Sequence, residues 1–186
     1  ISLCFIESNV SKFNIPRVHR LDGIYFNTSQ DYKSLNSNIK RTYNTSQGIV
    51  FQSEFNKNLI TKWFGYPSRY EVIHNGADLQ SINNISPMKN TKYENIWCCA
   101  ASWRPHKRLN ENINYFLEHK GPEDLLIVAG DVPQDQRKID SSIVYFGNLT
   151  QNQLYSLYKA SKYFLHLAWL DHCPNVVIDA RSCGCH

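Results

Sequence analysis

Six short runs rich in Val, Ile, Phe and Tyr alternate with amphipathic stretches of helical length, and this alternation constrains the chain more than any other feature. It is the pattern of a parallel β-sheet whose strands are joined by crossover helices. The runs fall at 48–52, 70–74, 95–101, 124–129, 142–146 and 163–168. Leu109, Ile113, Phe116 and Leu117 repeat at helical spacing, and Lys120-Gly121-Pro122 supplies a stop. Thr150, with Gln153 three residues later, predicts a capping box ahead of Leu154, Leu157 and Tyr158. Between 75 and 92 the text becomes a polar run with turn-forming residues and no sustained period. A domain boundary is expected there, with 1–77 in one domain and 78–186 in a second. The chain opens on Ile1 and closes on Cys183-Gly184-Cys185-His186, where a helix-to-strand turn is expected to lead into another strand. Both domains are therefore expected to be incomplete.

A hydrophobic fraction of 42% is ordinary for a globular protein and excludes a disordered tail. The longest apolar runs, 142–147 and 163–170, fall far short of a bilayer span, and no basic-then-apolar leader opens the chain. A soluble cytoplasmic protein without a transmembrane segment is expected. The net charge of +4 is scattered among acidic residues, which argues against a nucleic-acid partner. One local patch stands out: Arg104, His106, Lys107 and Arg108 fall within five positions. Such a run suits either a phosphate-bearing ligand or a solvated helix start. The six cysteines form no spaced framework, so reduced thiols are expected, with Cys98-Cys99 acting as small buried hydrophobes. His172-Cys173 and Cys183 to His186 lack the ligand spacing of a zinc site, and no metal is expected.

The most informative stretch runs from Leu170 to Ala180. A strand ends near Trp169, a short loop carries Asp171, and Pro174 stands where a first helical residue should, with Gly184 as the stop. In open α/β sheets ligands bind at the carboxyl ends of strands, and a helix N-terminus favours phosphates. Asp171 in the loop can reach sugar hydroxyls, while Asp179, further along the helix, can accept from a diol such as ribose. A helix-dipole partner and a surface acid are the plainer reading of the same two residues.

Two acids separated by seven residues, followed by a small-residue-Cys-Gly turn, resemble the signature of retaining glycosyltransferases, and Asp171, Asp179 and the tail 180–184 match it. Further matches occur in the family's order. The run 48–55 resembles the last strand-to-helix unit of an acceptor domain, and Val72-Ile-His-Asn-Gly-Ala-Asp78 resembles an interdomain turn. The run 101–109 resembles a first phosphate-binding loop, and Tyr145-Phe-Gly-Asn-Leu149 resembles the unit that walls a nucleobase. From about residue 17 onward the chain therefore resembles a GT-B glycosyltransferase of the family 4 type.

The resemblance implies two Rossmann-like domains with parallel sheets, the acceptor side in 1–77 and the donor side in 78–186. It implies transfer of a hexose from a UDP- or GDP-sugar with retention, without a metal or further cofactor. Lys107 would contact the phosphates with Arg104 beside it, and Asp171 would hold hydroxyls of the sugar. His172, Cys173, Pro174, Asn175 and Val176 would cradle the diphosphate, Asp179 would take the ribose, and Asn148 and Leu149 would lie near the base. Asp22, Asn75 and Gly76 would line the interdomain cleft.

The chain departs from the family pattern at several points. Aspartate replaces glutamate at both acidic positions, Ser102 stands where the family's arginine usually falls, and Leu21 occupies a usual histidine position. His19, two residues away, is either a substitute or an exposed strand residue. A non-catalytic nucleotide-binding module of the same fold and a sugar-nucleotide epimerase are the alternatives. The acceptor, whether glycan, lipid-linked sugar, protein or small molecule, is not legible, and neither is peripheral membrane docking of an intact enzyme.

Overall fold

The computed structural model describes residues 1–8, 15–89 and 92–186, which fall into two compact units, Ile1–Asn75 and Gly76–His186. The first unit holds strands β1 (Ser2–Phe5), β2 (Arg17–Leu21), β3 (Gly48–Phe51) and β4 (Tyr70–Val72), with helices α1 (Tyr32–Thr45) and α2 (Glu54–Phe64). Its sheet has the order β1-β2-β3-β4, parallel throughout. Asp31 caps α1 by accepting from the Ser34 N–H, and Ser53 caps α2 by accepting from the Asn56 N–H. Leu21, Ile39, Tyr43, Ile49, Phe51 and Ile60 form the core between sheet and helices.

Two of these strands, β1 and β2, are absent from the apolar runs read in the sequence. In β2 the inward positions are Arg17, His19 and Leu21, so a charged and a polar residue mask the alternation. His19 is therefore not an exposed strand residue. It is fully buried, and its Nε2 lies 2.7 Å from the Ile6 carbonyl. Burial pushes its pKa down, which favours the neutral ring.

The second unit begins with α3 (Leu79–Asn84), inside the polar run where the domain boundary is expected. Asp78 caps it through the Ser81 N–H, and Ile82 is buried. The run then binds the helix Gln151–Ala160: Met88 N–H donates to the Ser156 carbonyl and Lys159 Nζ to the Ile85 carbonyl. These bonds make it part of the unit, although residues 90 and 91 of that run lie outside the described residues.

The rest of this unit is built from β5 (Ile96–Ala100), α4 (Leu109–His119), β6 (Leu125–Ala129), β7 (Ile143–Gly147), α5 (Gln151–Ala160), β8 (Tyr163–Phe164) and α6 (Asn175–Ser182). The capping box at Thr150 and Gln153 is present. The named strands pair in parallel and the order is β7-β6-β5-β8, so the first strand lies inside the sheet and the fourth returns to its other side. Every residue of β5 and β6 is buried, as a parallel sheet covered on both faces requires. Ile96, Cys98 and Ala100 face the cluster of Tyr155, Leu157 and Tyr158 on α5, while Trp97 and Cys99 face Ile113 and Phe116 on α4. Beneath α4, the carboxylate of Asp124 accepts from Asn95, from the Trp97 indole and from the Gly121 N–H.

The run 163–168 gives only two strand residues, because its later N–H groups find other partners. Leu165 still donates to the Cys98 carbonyl, but Leu167 donates to Asn112 Oδ1 and Trp169 to the His106 carbonyl. The chain thus leaves the ladder for the loop after β5. Among the described residues no helix is long and apolar enough to cross a membrane.

Gly130, which follows β6, has φ +105°, and a Cβ built there would lie 2.1 Å from the Ala101 carbonyl oxygen and 2.9 Å from Trp103 Nε1. The indole in turn donates to the Ala129 carbonyl at 2.9 Å, so the loop after β5 is locked on the end of β6. Gly130→Ala is expected to combine left-handed strain with a backbone clash and to cost at least about 2 kcal/mol of stability. Urea unfolding compared with wild type measures it.

Candidate active site

Two loops meet where the sheet order reverses, between β5 and β8, and ligands of open α/β sheets bind at such a switch point. The first loop follows β5. A short 3₁₀ turn at Pro105–Lys107 carries the basic cluster, and Arg108 then adopts φ 55°, ψ 57° before α4 begins. That left-handed conformation costs a non-glycine residue roughly 1–2 kcal/mol. It turns the chain so that Lys107 faces the second loop. The second loop follows β8 and ends in α6, whose N-cap is Pro174 and whose first residue is Asn175. The helix therefore starts one residue later than its sequence suggests, because Pro174 has the extended ψ of 110°, and no side chain caps it.

Lys107 Nζ lies 2.5 Å from Asp171 Oδ2, and His166 Nε2 lies 3.1 Å from the same oxygen. Asp171 Oδ1 has no hydrogen bond among the described residues, which leaves one carboxylate oxygen open to a hydroxyl. Burial alone would raise the Asp171 pKa, but hydrogen bonds from His166 and Lys107 and their charges bring it down to about 2. Arg104 is exposed, and its guanidinium makes no hydrogen bond or ion pair among the described residues. His106 has its pKa lowered by burial and by the adjacent Lys107 and Arg104 charges.

A cleft of about 340 Å³ lies between the loops, lined by Arg104, His106, Lys107, Asp171 and the run from Cys173 through Pro174 and Asn175 to Val176. The structure thus gathers eight of the residues singled out from the sequence or its resemblance. A larger, open cleft of about 810 Å³ shares Arg104 on the α4 side, but it has no carboxylate–lysine pair like that of Asp171. Among the described residues no three His, Cys, Asp or Glu side chains gather as a metal site needs.

Other residues fall elsewhere. His172, Asp179, Asn148 and Leu149 do not line this cleft. Asp179 lies on α6 near Tyr155 and Tyr158 of α5, whose pKa values its charge helps to raise, and burial pushes its own pKa up. Leu149 packs on the core beside α5, and Asn148 is exposed after β7. Gly76 opens the second unit, while Asp22 and Asn75 belong to the first. There Arg20 bridges Asp22 and Asn75, and Gln52 donates to Asp22 and accepts from Asn75, which joins the carboxyl ends of β2 and β3 to the turn after β4.

His166, Trp103, Asn112, Arg20 and Gln52 were not singled out from the sequence. A signal existed for two of them. His166 interrupts an apolar run, and Asn112 shares the apolar stripe of Leu109, Ile113 and Phe116.

Because the folded pKa of Asp171 is depressed from 3.8 to about 2, its ionic contacts contribute stability that is present above the unfolded pKa and lost as pH falls through the folded one. Wild type is expected to exceed Asp171→Asn by on the order of 2 kcal/mol at pH 6, with the gap closing between about pH 4 and pH 2. Unfolding of the two proteins across that range measures it.

Solved structures with the same fold include sucrose-phosphate synthase from Thermosynechococcus elongatus, at 15% identity over 94% of this chain and 50% of that one, with a TM-score of 0.75. HepE of Anabaena in complex with UDP-glucose matches at 15% identity over 91% and 52%, with a TM-score of 0.69. A UDP-forming α,α-trehalose-phosphate synthase from Burkholderia xenovorans matches at 8% identity over 91% and 51%, with a TM-score of 0.64. No family model and no curated protein sequence matches the chain. The chain spans about half the length of these solved structures, and what the likeness shows is the fold, the α/β architecture with parallel sheets of the GT-B glycosyltransferases.

Proposed function

We infer that the chain is part of a retaining glycosyltransferase of the family 4 type, and that the cleft between the loops after β5 and β8 binds a nucleoside diphosphate sugar. The observation that carries this reading is the meeting of Lys107 and Asp171 at the reversal of the sheet, beside the uncapped start of α6. Residues 78–186 then form the donor side and 1–77 the acceptor side.

In this reading Lys107 exchanges Asp171 for the diphosphate when the donor enters, and Arg104 and the start of α6 add positive potential. The bond from the anomeric carbon to the diphosphate oxygen breaks with its electron pair leaving on oxygen, an acceptor hydroxyl bonds to the same face of that carbon and gives its proton to the leaving diphosphate, and these groups stabilise the developing charge without a metal. His166 remains on Asp171, so its carboxylate stays oriented with Oδ1 toward sugar hydroxyls. Asp179 takes the ribose, and Asn148 and Leu149 adjoin the base. The neighbours described with UDP or UDP-glucose favour a UDP-hexose as the first donor to test. Two sequence features favour a non-catalytic binding module instead: aspartate at both acidic positions, Asp171 and Asp179, and Ser102 where the family's arginine usually falls.

The reading is tested with full-length protein and labelled UDP- and GDP-hexoses. Hydrolysis or transfer is expected, and Lys107→Ala is expected to reduce it at least roughly tenfold. Binding without turnover would favour the non-catalytic module, and unchanged turnover in Lys107→Ala would sink the role of that lysine. UDP or GDP at about a hundred times Kd is expected to add roughly 2.7 kcal/mol of stability, a gain lost in Asp179→Ala. Thermal unfolding with each nucleotide measures this, and a shift that survives Asp179→Ala would remove the ribose assignment.

A further inference from the structure

Asn112 lies in the second turn of α4, on the helix face that should be apolar, and is 1% exposed. A buried amide of this kind is costly unless its donors and acceptor are used. Both of its polar groups bond to the two loops of the cleft. Its Nδ2 donates to the Lys107 carbonyl at 3.2 Å and to the Arg108 carbonyl at 2.8 Å. Its Oδ1 accepts from the Leu167 N–H at 3.1 Å. One side of this bridge is the residue that carries the ammonium, together with the left-handed residue after it. The other side follows directly on His166 and lies four residues before Asp171. The Trp169 N–H, donating to the His106 carbonyl at 2.8 Å, also ties the two loops.

A plain helix cap would need only the bond back to Arg108, one turn earlier. The bond to Leu167 does nothing for α4 and is the one that crosses between loops. We propose that Asn112 is a positioning residue, a clamp that fixes the spacing of the loops after β5 and β8 and thereby the alignment of Lys107 with Asp171. It touches neither partner of the ion pair through their side chains and acts through the backbone on both sides. Its bearing on sugar transfer rests on the donor-site reading above, whereas the clamp itself can be tested without any donor.

The test is a double-mutant cycle of Lys107→Ala and Asp171→Asn, read by urea unfolding, in three backgrounds: wild type, Asn112→Ser and Ile113→Ala. Serine can still bond the Arg108 carbonyl one turn back but is too short to reach Leu167. The neighbouring Ile113→Ala removes a fully buried side chain from the same helix and serves as the control for general destabilisation. In wild type the two substitutions are expected to be non-additive by roughly fivefold or more in the unfolding constant. That coupling is expected to vanish in Asn112→Ser and to persist in Ile113→Ala. Coupling retained in Asn112→Ser, coupling lost equally in both backgrounds, or no coupling in wild type would each overturn the clamp. In full-length enzyme Asn112→Ser is expected to lower kcat at least tenfold while leaving KM for the nucleotide sugar within about threefold. Wild-type protein without turnover would count against the donor-site reading and leave the result of the cycle standing.

Discussion

The second unit depends on one placement, the burial of β5 between β6 and β8 with both of its faces covered. A strand in that position exposes nothing except its ends, so everything a ligand can touch must come from the loops that leave it and its neighbour. Parallel pairing sends both of those loops out at the same edge, and the reversal of strand order prevents a crossover helix from filling the gap. The cleft is therefore a topological result. The residues within it decide only what chemistry the gap can hold.

Charge sets the character of that gap. Asp171 is a half-buried carboxylate, and burial alone would shift it toward the protonated form. Two cationic or polar donors, Lys107 and His166, reverse that preference through a single oxygen. The result is a carboxylate whose ionisation does not depend on one partner only. A site of this design can lend its lysine to an incoming anion, because the imidazole still holds the acid. The exposed Arg104 guanidinium adds positive potential around it without tying up the carboxylate.

Much of this was legible because periodicity and spacing are local. The strands of the second unit, the helix from Leu109, the capping box at Thr150 and the loop-to-helix entry at Asp171 all follow from short windows of text. What escaped depended on partners distant in sequence. In β2, Arg17 and His19 occupy inward positions, so the pattern does not read as a strand until the Ile6 carbonyl that receives His19 is known. The strand from Tyr163 is cut short by Asn112 and by the His106 carbonyl, more than fifty residues upstream. Asp179, eight residues after Asp171, lies on α6 near Tyr155 of α5, a neighbour the spacing alone did not name. The Asn on the apolar stripe of α4 was visible as an irregularity, but its two loop partners were not.

The indole of Trp103, bonded to the end of β6, and the absence of a Cβ at Gly130 fasten the loop after β5 to the sheet. A loop held in this way has already lost its conformational freedom during folding, when that loss was offset by the core. An arriving ligand then has little chain entropy left to remove from this side of the cleft, and its affinity depends chiefly on the charges it finds there. Association through this loop should accordingly be fast and sensitive to ionic strength, with little sign of a slow ordering step.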